Sequence, residues 1–283
     1  MTLRIALPNK GRLADDTRQL FADAGLDVRA SSERALSASL GGEFEAIFVR
    51  AQDIPEFIAD GAADAGVTGW DLVSETQRPL QQLLDLGFGA CRVVVASKED
   101  AGIATIADIP SGSRVATAFP RITRNYFDGL GKPVEIVPMS GAAEIAPHLG
   151  IANLIVDITS TGSTLRTNGL VEVGTILCST ARLVAACDAA SRPLDELVMA
   201  LASVIRARGQ RYLMANVPKQ SLDRVKEVLP GLNGPTVIDI VNGGRFVAVH
   251  AVVAAEGIYR TIATLKQIGA EGVLVTRIER LMP

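Results

Sequence analysis

The residues densest in ligand-binding chemistry run Asp157-Ile158-Thr159-Ser160-Thr161-Gly162-Ser163-Thr164, hydroxyls gathered about one glycine after an apolar, strand-like stretch. The backbone N–H groups and hydroxyls of such a loop, with the dipole of a following helix, can wrap phosphate oxygens. Asp157, at the strand end, would then face ribose hydroxyls or a magnesium ion. Ser, Thr and Gly also favour ordinary polar turns and N-caps, so this stretch by itself leaves both readings open.

Cations sit at other strand ends. Lys10 and Arg12 flank Gly11 in the turn Pro8-Asn9-Lys10-Gly11-Arg12, at the start of a helix whose dipole opposes positive charge. An anionic ligand resolves that conflict; two solvated cations are the plain alternative. Arg50 and Asp71 follow two further strands, and Arg121 lies in Thr117-Ala118-Phe119-Pro120-Arg121-Ile122-Thr123-Arg124. Arginine grips phosphate bidentately, and a carboxylate accepts from ribose hydroxyls or holds a metal's water. Glu144, just past the strand end at 137–141, could equally serve as a first-turn helix acid. No Walker loop is present, because Gly131-Lys132 lacks the upstream glycine and the following Ser or Thr, and no G-x-G-x-x-G opens a helix.

Composition narrows the chemistry. Three cysteines, Cys91, Cys178 and Cys187, contain no C-x-x-C pair and read as small buried apolar residues. The two histidines, His148 and His250, are far apart in sequence, which argues against a Ser-His-Asp triad or a multi-histidine metal site. Catalysis is pushed toward charge and backbone donors. A net charge of −3, from 28 basic and 31 acidic residues with no long like-charge run, argues against a nucleic-acid partner. Hydrophobic residues make up 48% of the chain, but the apolar runs are shorter than the roughly 20 residues that span a bilayer. The sequence from Met1 enters a strand directly without a basic leader, so no membrane partner and a cytoplasmic location are expected.

These groups need elements to hold them. Apolar strands are expected at 3–7, 44–49, 65–69, 92–96, 114–118, 134–137 and 153–158, alternating with helical stretches, which predicts an α/β protein with parallel sheet. In such sheets ligands bind where strands end and helices begin. Ser191-Arg192-Pro193 then opens a periodic helix with Leu194, Leu197, Val198, Leu201, Val204 and Ile205 on one face, stopping by Gly209. Beyond it the style changes: strand 212–217, helix 222–229, strand 236–241, a turn at 242–244, strand 245–253, helix 257–268 and strand 272–278. This is βαββαβ, the ferredoxin-like order. From Arg211 onward nine basic and six acidic residues make the piece basic while the rest is acidic, and a boundary is placed near Gly209. His250 alternates with Phe246, Ala248 and Val252, as a satisfied, half-buried strand histidine would.

Taken together, residues 8–13 (PNKGRL), 67–72 (VTGWDL), 116–120 (ATAFP), 141–147 (GAAEIAP), 157–165 (DITSTGSTL) and 168–170 (NGL) resemble the long form of the ATP phosphoribosyltransferase family. The resemblance spans most of the chain in the family's order. One departure is Trp70, which stands where polar or charged residues are common.

That resemblance implies a two-lobed catalytic part of the type II periplasmic-binding-protein kind, with lobe I at 1–90 plus 179–209 and lobe II at 91–178, followed by a ferredoxin-like regulatory domain at 210–283. It implies transfer of the phosphoribosyl group of phosphoribosyl pyrophosphate to N1 of ATP, the first step of histidine biosynthesis, with no protein nucleophile. Glu144, Asp157, Thr159, Ser160, Thr161, Gly162, Ser163 and Thr164 would hold phosphoribosyl pyrophosphate. Lys10, Gly11, Arg12, Arg50, Asp71 and Arg121 would face ATP or pyrophosphate. Mg2+ is the implied cofactor, with its ligands unassigned. Histidine would inhibit from the C-terminal domain, with Thr236, Asp239 and Thr276 as candidate contacts. A homo-oligomer, a hexamer built on a dimer, would form without a separate regulatory subunit. The competing reading is a noncatalytic anion-binding or amino-acid-sensing module on the same fold.

Overall fold

The computed structural model describes residues 2–29, 35–241 and 244–282, and the chain packs as two compact units, Met1–Val198 and Met199–Pro283. The first unit is built on two sheets. Its first lobe runs through β1 (Leu3–Pro8), α1 (Ala14–Asp23), β2 (Val28–Arg29), β3 (Ser37–Leu40), β4 (Phe44–Val49), α2 (Ile54–Ala59), β5 (Ala65–Gly69), α3 (Trp70–Thr76) and β6 (Leu80–Asp85). The chain then enters the second lobe with β7 (Cys91–Lys98), β8 (Arg114–Thr117), α4 (Pro120–Gly129), β9 (Glu135–Pro138), β10 (Leu154–Thr159), α5 (Ser163–Thr167) and β11 (Leu170–Ser179). It returns to the first sheet as β12 (Ala181–Ala186), and α6 (Arg192–Ala207) carries it into the second unit.

Strand orders are β2-β3-β4-β1-β5-β12-β6 and β11-β7-β10-β8-β9. The expectation of parallel sheet holds for the middle of the first and for one edge of the second: β1 is parallel to β4 and β5, and β8 to β9 and β10. It fails elsewhere, since β12 is antiparallel to β5 and β6, and β7 is antiparallel to β10 and β11. Strands absent from the sequence reading, β6, β11 and β12, account for part of this, whereas β7 and β10 were both expected and still pair antiparallel. The β11 strand has register shifts at Glu172/Gly174 and Thr175/Leu177, and such bulges destroy the two-residue alternation that betrays a strand. These antiparallel strands make two lobes of one chain, which crosses between the sheets at 86–90 and again at Thr180. The crossings pair with each other: Leu86 N–H donates to the Ala181 carbonyl at 3.0 Å, and Ala181 N–H to the Phe88 carbonyl at 2.9 Å. This is the two-lobed arrangement that the family resemblance implies.

Alternation along β7 supplies two cores in the second lobe. Val93 and Val95 pack with Val115, Val156 and the α4 residues Ile122 and Phe127 on one face. Val94 and Ala96 pack with Ala116, Ile155 and Leu165 on the other, as a strand covered on both sides requires. Phe127 is fully buried, and its truncation to alanine would cost about 3–5 kcal/mol. The rigid sheet therefore presents the ends of β8 and β10 at fixed positions. Of the three cysteines, expected as buried, Cys91 is; Cys178, near the end of the bulged β11, and Cys187, in the turn after β12, are exposed.

In the second unit, β13 (Gln210–Pro218), α7 (Leu222–Val228), β14 (Thr236–Asp239), β15 (Phe246–Ala254), α8 (Ile258–Gln267) and β16 (Glu271–Arg277) follow the predicted βαββαβ order. The sheet is antiparallel throughout, in the order β14-β15-β13-β16. Leu213, Ala215, Val217, Val247, Val249 and Ala251 face the core with Val225 and Leu265. Alternate residues form a half-exposed face on which the Tyr212 hydroxyl meets His250 Nδ1 at 2.8 Å, so His250 is satisfied as expected. Of the expected turn at 242–244, Asn242 and Gly243 lie outside the described residues. No helix among the described residues is long and apolar enough to cross a membrane.

Candidate active site

Between the lobes of the first unit lies a cavity of about 750 Å3, within the range of small-molecule sites. The first lobe contributes Lys10, Gly11, Arg12, Arg50, Asp71 and Glu75; the second contributes Phe119, Arg121, Met139 and Asp157. One space therefore brings together every residue assigned to the ATP or pyrophosphate and the acid that begins the hydroxyl loop. Lys10 and Arg50 are exposed, and neither side chain has an ion-pair partner among the described residues.

Other groups are already engaged. The Arg12 guanidinium donates to the Gly89 carbonyl and, at 3.4 Å, to Cys91 Sγ, both in or beside the first interlobe crossing. Asp71 is 2% exposed. It accepts the Ser179 hydroxyl at 2.6 Å, while its own N–H donates to Ser179 Oγ at 2.9 Å. A side chain on Gly69 would place Cβ 2.3 Å from Asp71 Oδ1, so anything larger than glycine where β5 turns into α3 would push the Asp71 carboxylate from its place against Ser179. Burial pushes the Cys91 thiol up, and the nearby Asp71 carboxylate adds to the shift. Trp70 packs with Ile54, Ile58 and Val73 of the first lobe's core and does not line the cavity.

The loop after β10 is a self-bonded turn: of residues 157–164, Asp157 and Ile158 line the cavity, while 159–164, like Glu144, are not among its lining residues. Thr159 is buried, and its Oγ1 accepts the Gly162 N–H at 2.8 Å, so this hydroxyl shapes the turn. Gly162 sits at φ +73°, a conformation that favours glycine. The hydroxyls left toward solvent belong to Ser160, Thr161, Ser163 and Thr164; Thr161 Oγ1 donates to Ser163 Oγ at 3.0 Å, and Ser160 reaches the Ala90 carbonyl at 3.3 Å. Burial raises the Asp157 carboxyl above the ordinary aspartate value of 3.8, opposed by the Ile158 N–H and reinforced by nearby Glu144.

Two residues escaped the sequence reading. Arg166 lies against the loop: a Cβ on Gly162 would come within 3.0 Å of its Nη1, and the four-residue helical spacing from Gly162 was a usable signal. Glu75 lines the cavity and bonds to α4 of the opposite lobe, which nothing in its neighbours in sequence announces.

The three effector candidates do not converge. Thr236 pairs with His250 and Thr276 with Tyr212, on the two edge strands of the second unit, while Asp239 pairs with the core-facing Val247. Two strands separate Thr236 from Thr276, about 14 Å at the usual spacing, and Asp239 projects from the opposite face.

The family model described as ATP phosphoribosyltransferase matches residues 50–207, and the model for that family's C-terminal domain matches 207–280. The chain belongs to the ATP phosphoribosyltransferase family. The curated ATP phosphoribosyltransferase of Gemmatimonas aurantiaca is 67% identical over 99% of this chain and 100% of its own length. That of Natronomonas pharaonis is 49% identical over the same shares. Among solved structures, a chain of the ATP phosphoribosyl transferase (HisG:HisZ) complex from Thermotoga maritima superposes with a TM-score of 0.64 at 29% identity, covering 72% of this chain and 99% of that one. As a member of this family the chain is a transferase: it moves the phosphoribosyl group of phosphoribosyl pyrophosphate to N1 of ATP, the first step of histidine biosynthesis.

Proposed function

We propose that the interlobe cavity is where this ATP phosphoribosyltransferase holds both substrates, one against each wall. The observation that carries the reading is the single space shared by Lys10 and Arg50, neither with an ion-pair partner among the described residues, and the loop acid Asp157. Phosphoribosyl pyrophosphate lays its 5-phosphate and ribose along Asp157, Thr159, Ser160, Thr161, Gly162, Ser163 and Thr164, with Glu144 beside them. ATP and the departing pyrophosphate face Lys10, Gly11, Arg12, Arg50, Asp71 and Arg121, where Lys10 and Arg50 present free charge and the other side chains shape the wall. The adenine N1 lone pair attacks C1 of the ribose as the C1–O bond to pyrophosphate breaks. No residue of the chain need form a bond to substrate, and rate comes from alignment and from cations placed where charge develops.

Asp157 and Glu144 are hard oxygen donors close enough for their charges to interact. Among the described residues no three His, Cys, Asp or Glu converge on a metal position, so the donor set suits Mg2+ held mainly by phosphate oxygens and water. Magnesium supplies neutralisation of the pyrophosphate charge when bound.

The regulatory reading assigns residues 1–90 plus 179–209 and 91–178 to the catalytic lobes and 210–283 to a histidine-sensing domain, in a cytoplasmic homo-oligomer, a hexamer built on a dimer. The C-terminal-domain match over residues 207–280 supports it, and no separate regulatory subunit is then needed. Within one chain a single histidine can touch at most one of Thr236 and Thr276. Incubating the full chain with ATP, phosphoribosyl pyrophosphate and magnesium should yield phosphoribosyl-ATP and pyrophosphate, and added histidine should suppress both. Absence of product at every magnesium concentration defeats the catalytic reading; product insensitive to histidine defeats the regulatory one.

A further inference from the structure

The cavity contains an acid that an anion-binding site should avoid. Glu75, near the end of α3, would repel the phosphates of either substrate if its charge were free. It is engaged instead. Its two carboxylate oxygens accept the backbone N–H groups of Arg121 and Ile122 at 3.0 Å each, across the cleft at the first turn of α4. In return the Arg121 guanidinium donates to the carbonyls of Thr76 at 2.8 Å and Glu75 at 3.3 Å. A helix begins with unsatisfied N–H groups and a positive pole and ends with unsatisfied carbonyls and a negative one. Here each helix caps the other, with the correct sign of charge at both ends.

The other end of α3 is tied to the crossing between the lobes. Trp70 N–H donates to the Thr180 carbonyl at 3.0 Å, and Asp71 is locked to Ser179 through the pair of bonds described above. Between the ends, Leu72 packs against the second lobe's core cluster around Phe119 and Ile122. Toward its own lobe, Thr76 Oγ1 donates to Glu56 of α2 at 2.7 Å. The helix thus runs as a strut from the crossing to the opposite lobe, anchored on both sides.

We propose that Glu75 is a positioning residue for phosphoribosyl transfer: with Arg121 it sets how far apart the two cavity walls stand, and hence the approach of adenine N1 to C1. Arg121 then serves the reaction mainly through α3. The inference rests on the reading that one substrate binds on each wall. A misplacement of about 1 Å at such a centre can cost about 100-fold in rate.

The test compares wild type, Glu75→Ala and Glu75→Gln in kcat and KM for each substrate, with calorimetric affinity for phosphoribosyl pyrophosphate alone and a thermal melt. In Glu75→Ala, kcat should fall about 100-fold, with that affinity within about threefold of wild type. Glu75→Gln keeps an acceptor oxygen for one N–H and should recover to within about tenfold; it carries the test if the alanine variant melts out. Unchanged kcat in the folded variants overturns the proposal. So does an affinity that falls in step with kcat, which would make this pair a direct ligand contact. A wild type without turnover overturns the proposal together with the site reading, whereas active wild type and active Glu75→Ala overturn the proposal alone.

Discussion

The two walls of the cleft are built in opposite ways. On the second lobe the hydroxyl-bearing stretch, Asp157 through Thr164, is one continuous segment folded on itself by the Thr159–Gly162 bond, and its Asp157 and Ile158 reach the cavity beside Phe119, Arg121 and Met139. The first lobe's wall is a composite, in which Lys10 follows β1, Arg50 follows β4, and Asp71 and Glu75 lie on α3. A local loop can concentrate hydroxyl and N–H donors because neighbours in sequence are neighbours in space. Free cations would repel one another in one short turn, so bringing several to a single ligand requires separate strand ends. The contrast also separates charge, with hydroxyls and the partly buried Asp157 on the second lobe and, on the first, Lys10 and Arg50 without an ion-pair partner among the described residues.

The sharpest way to break this contrast is Asp157→Asn. Losing a charged acceptor removes about 1.5–3 kcal/mol of interaction, so kcat/KM for phosphoribosyl pyrophosphate should fall by up to about 100-fold in steady-state assays. Stability should move the other way. The Asp157 carboxyl is raised on folding, first by burial; its favourable contribution is present below pH 3.8 and is lost as pH rises through the folded value. At neutral pH the buried charge is a net cost. The asparagine variant should therefore melt higher than wild type at pH 7, and a lower melting temperature there would contradict the assignment.

Next come the isolated contacts. Lys10→Ala should lower kcat/KM by about 10- to 30-fold through loss of a charge-assisted bond, and Thr161→Val by no more than about tenfold. Both should melt within about 2 °C of wild type, because surface changes cost little. Equal losses would erase the distinction between the walls. The smallest effect belongs to the anchor of the strut. The Arg78 hydrogen bond, then that of Thr76, holds the Glu56 carboxyl below its ordinary value of 4.5. That stability is present above pH 4.5 and lost as pH falls through the lower folded value. The Arg78–Glu56 pair is close to half exposed and solvent-screened, so Glu56→Gln should cost less than about 1 kcal/mol at pH 7, with the difference shrinking in melts taken below pH 4.

Legibility followed the same division. The hydroxyl loop, the periodic α6 and the βαββαβ tail declare themselves because turn chemistry and hydrophobic period are local. The antiparallel β11 and β12 do not, since bulges blur one and the other, ARLVAA, reads as a short apolar run. Thr236, Asp239 and Thr276 show the limit of residue type alone: suitable side chains on one small domain were dispersed to two edges and two faces.

By itself the sequence determined which groups are available, the family, the α/β and βαββαβ order and the hydroxyl-rich loop, because these depend on residue identity and near-neighbour spacing. Tertiary structure alone decided that Lys10, Arg50 and Asp157 share one cavity, that Arg12 and Arg121 are held by carbonyls, and that Glu75 spans the lobes. Those outcomes depend on distances between residues tens of positions apart, set by strand register and by two chain crossings that no local pattern encodes.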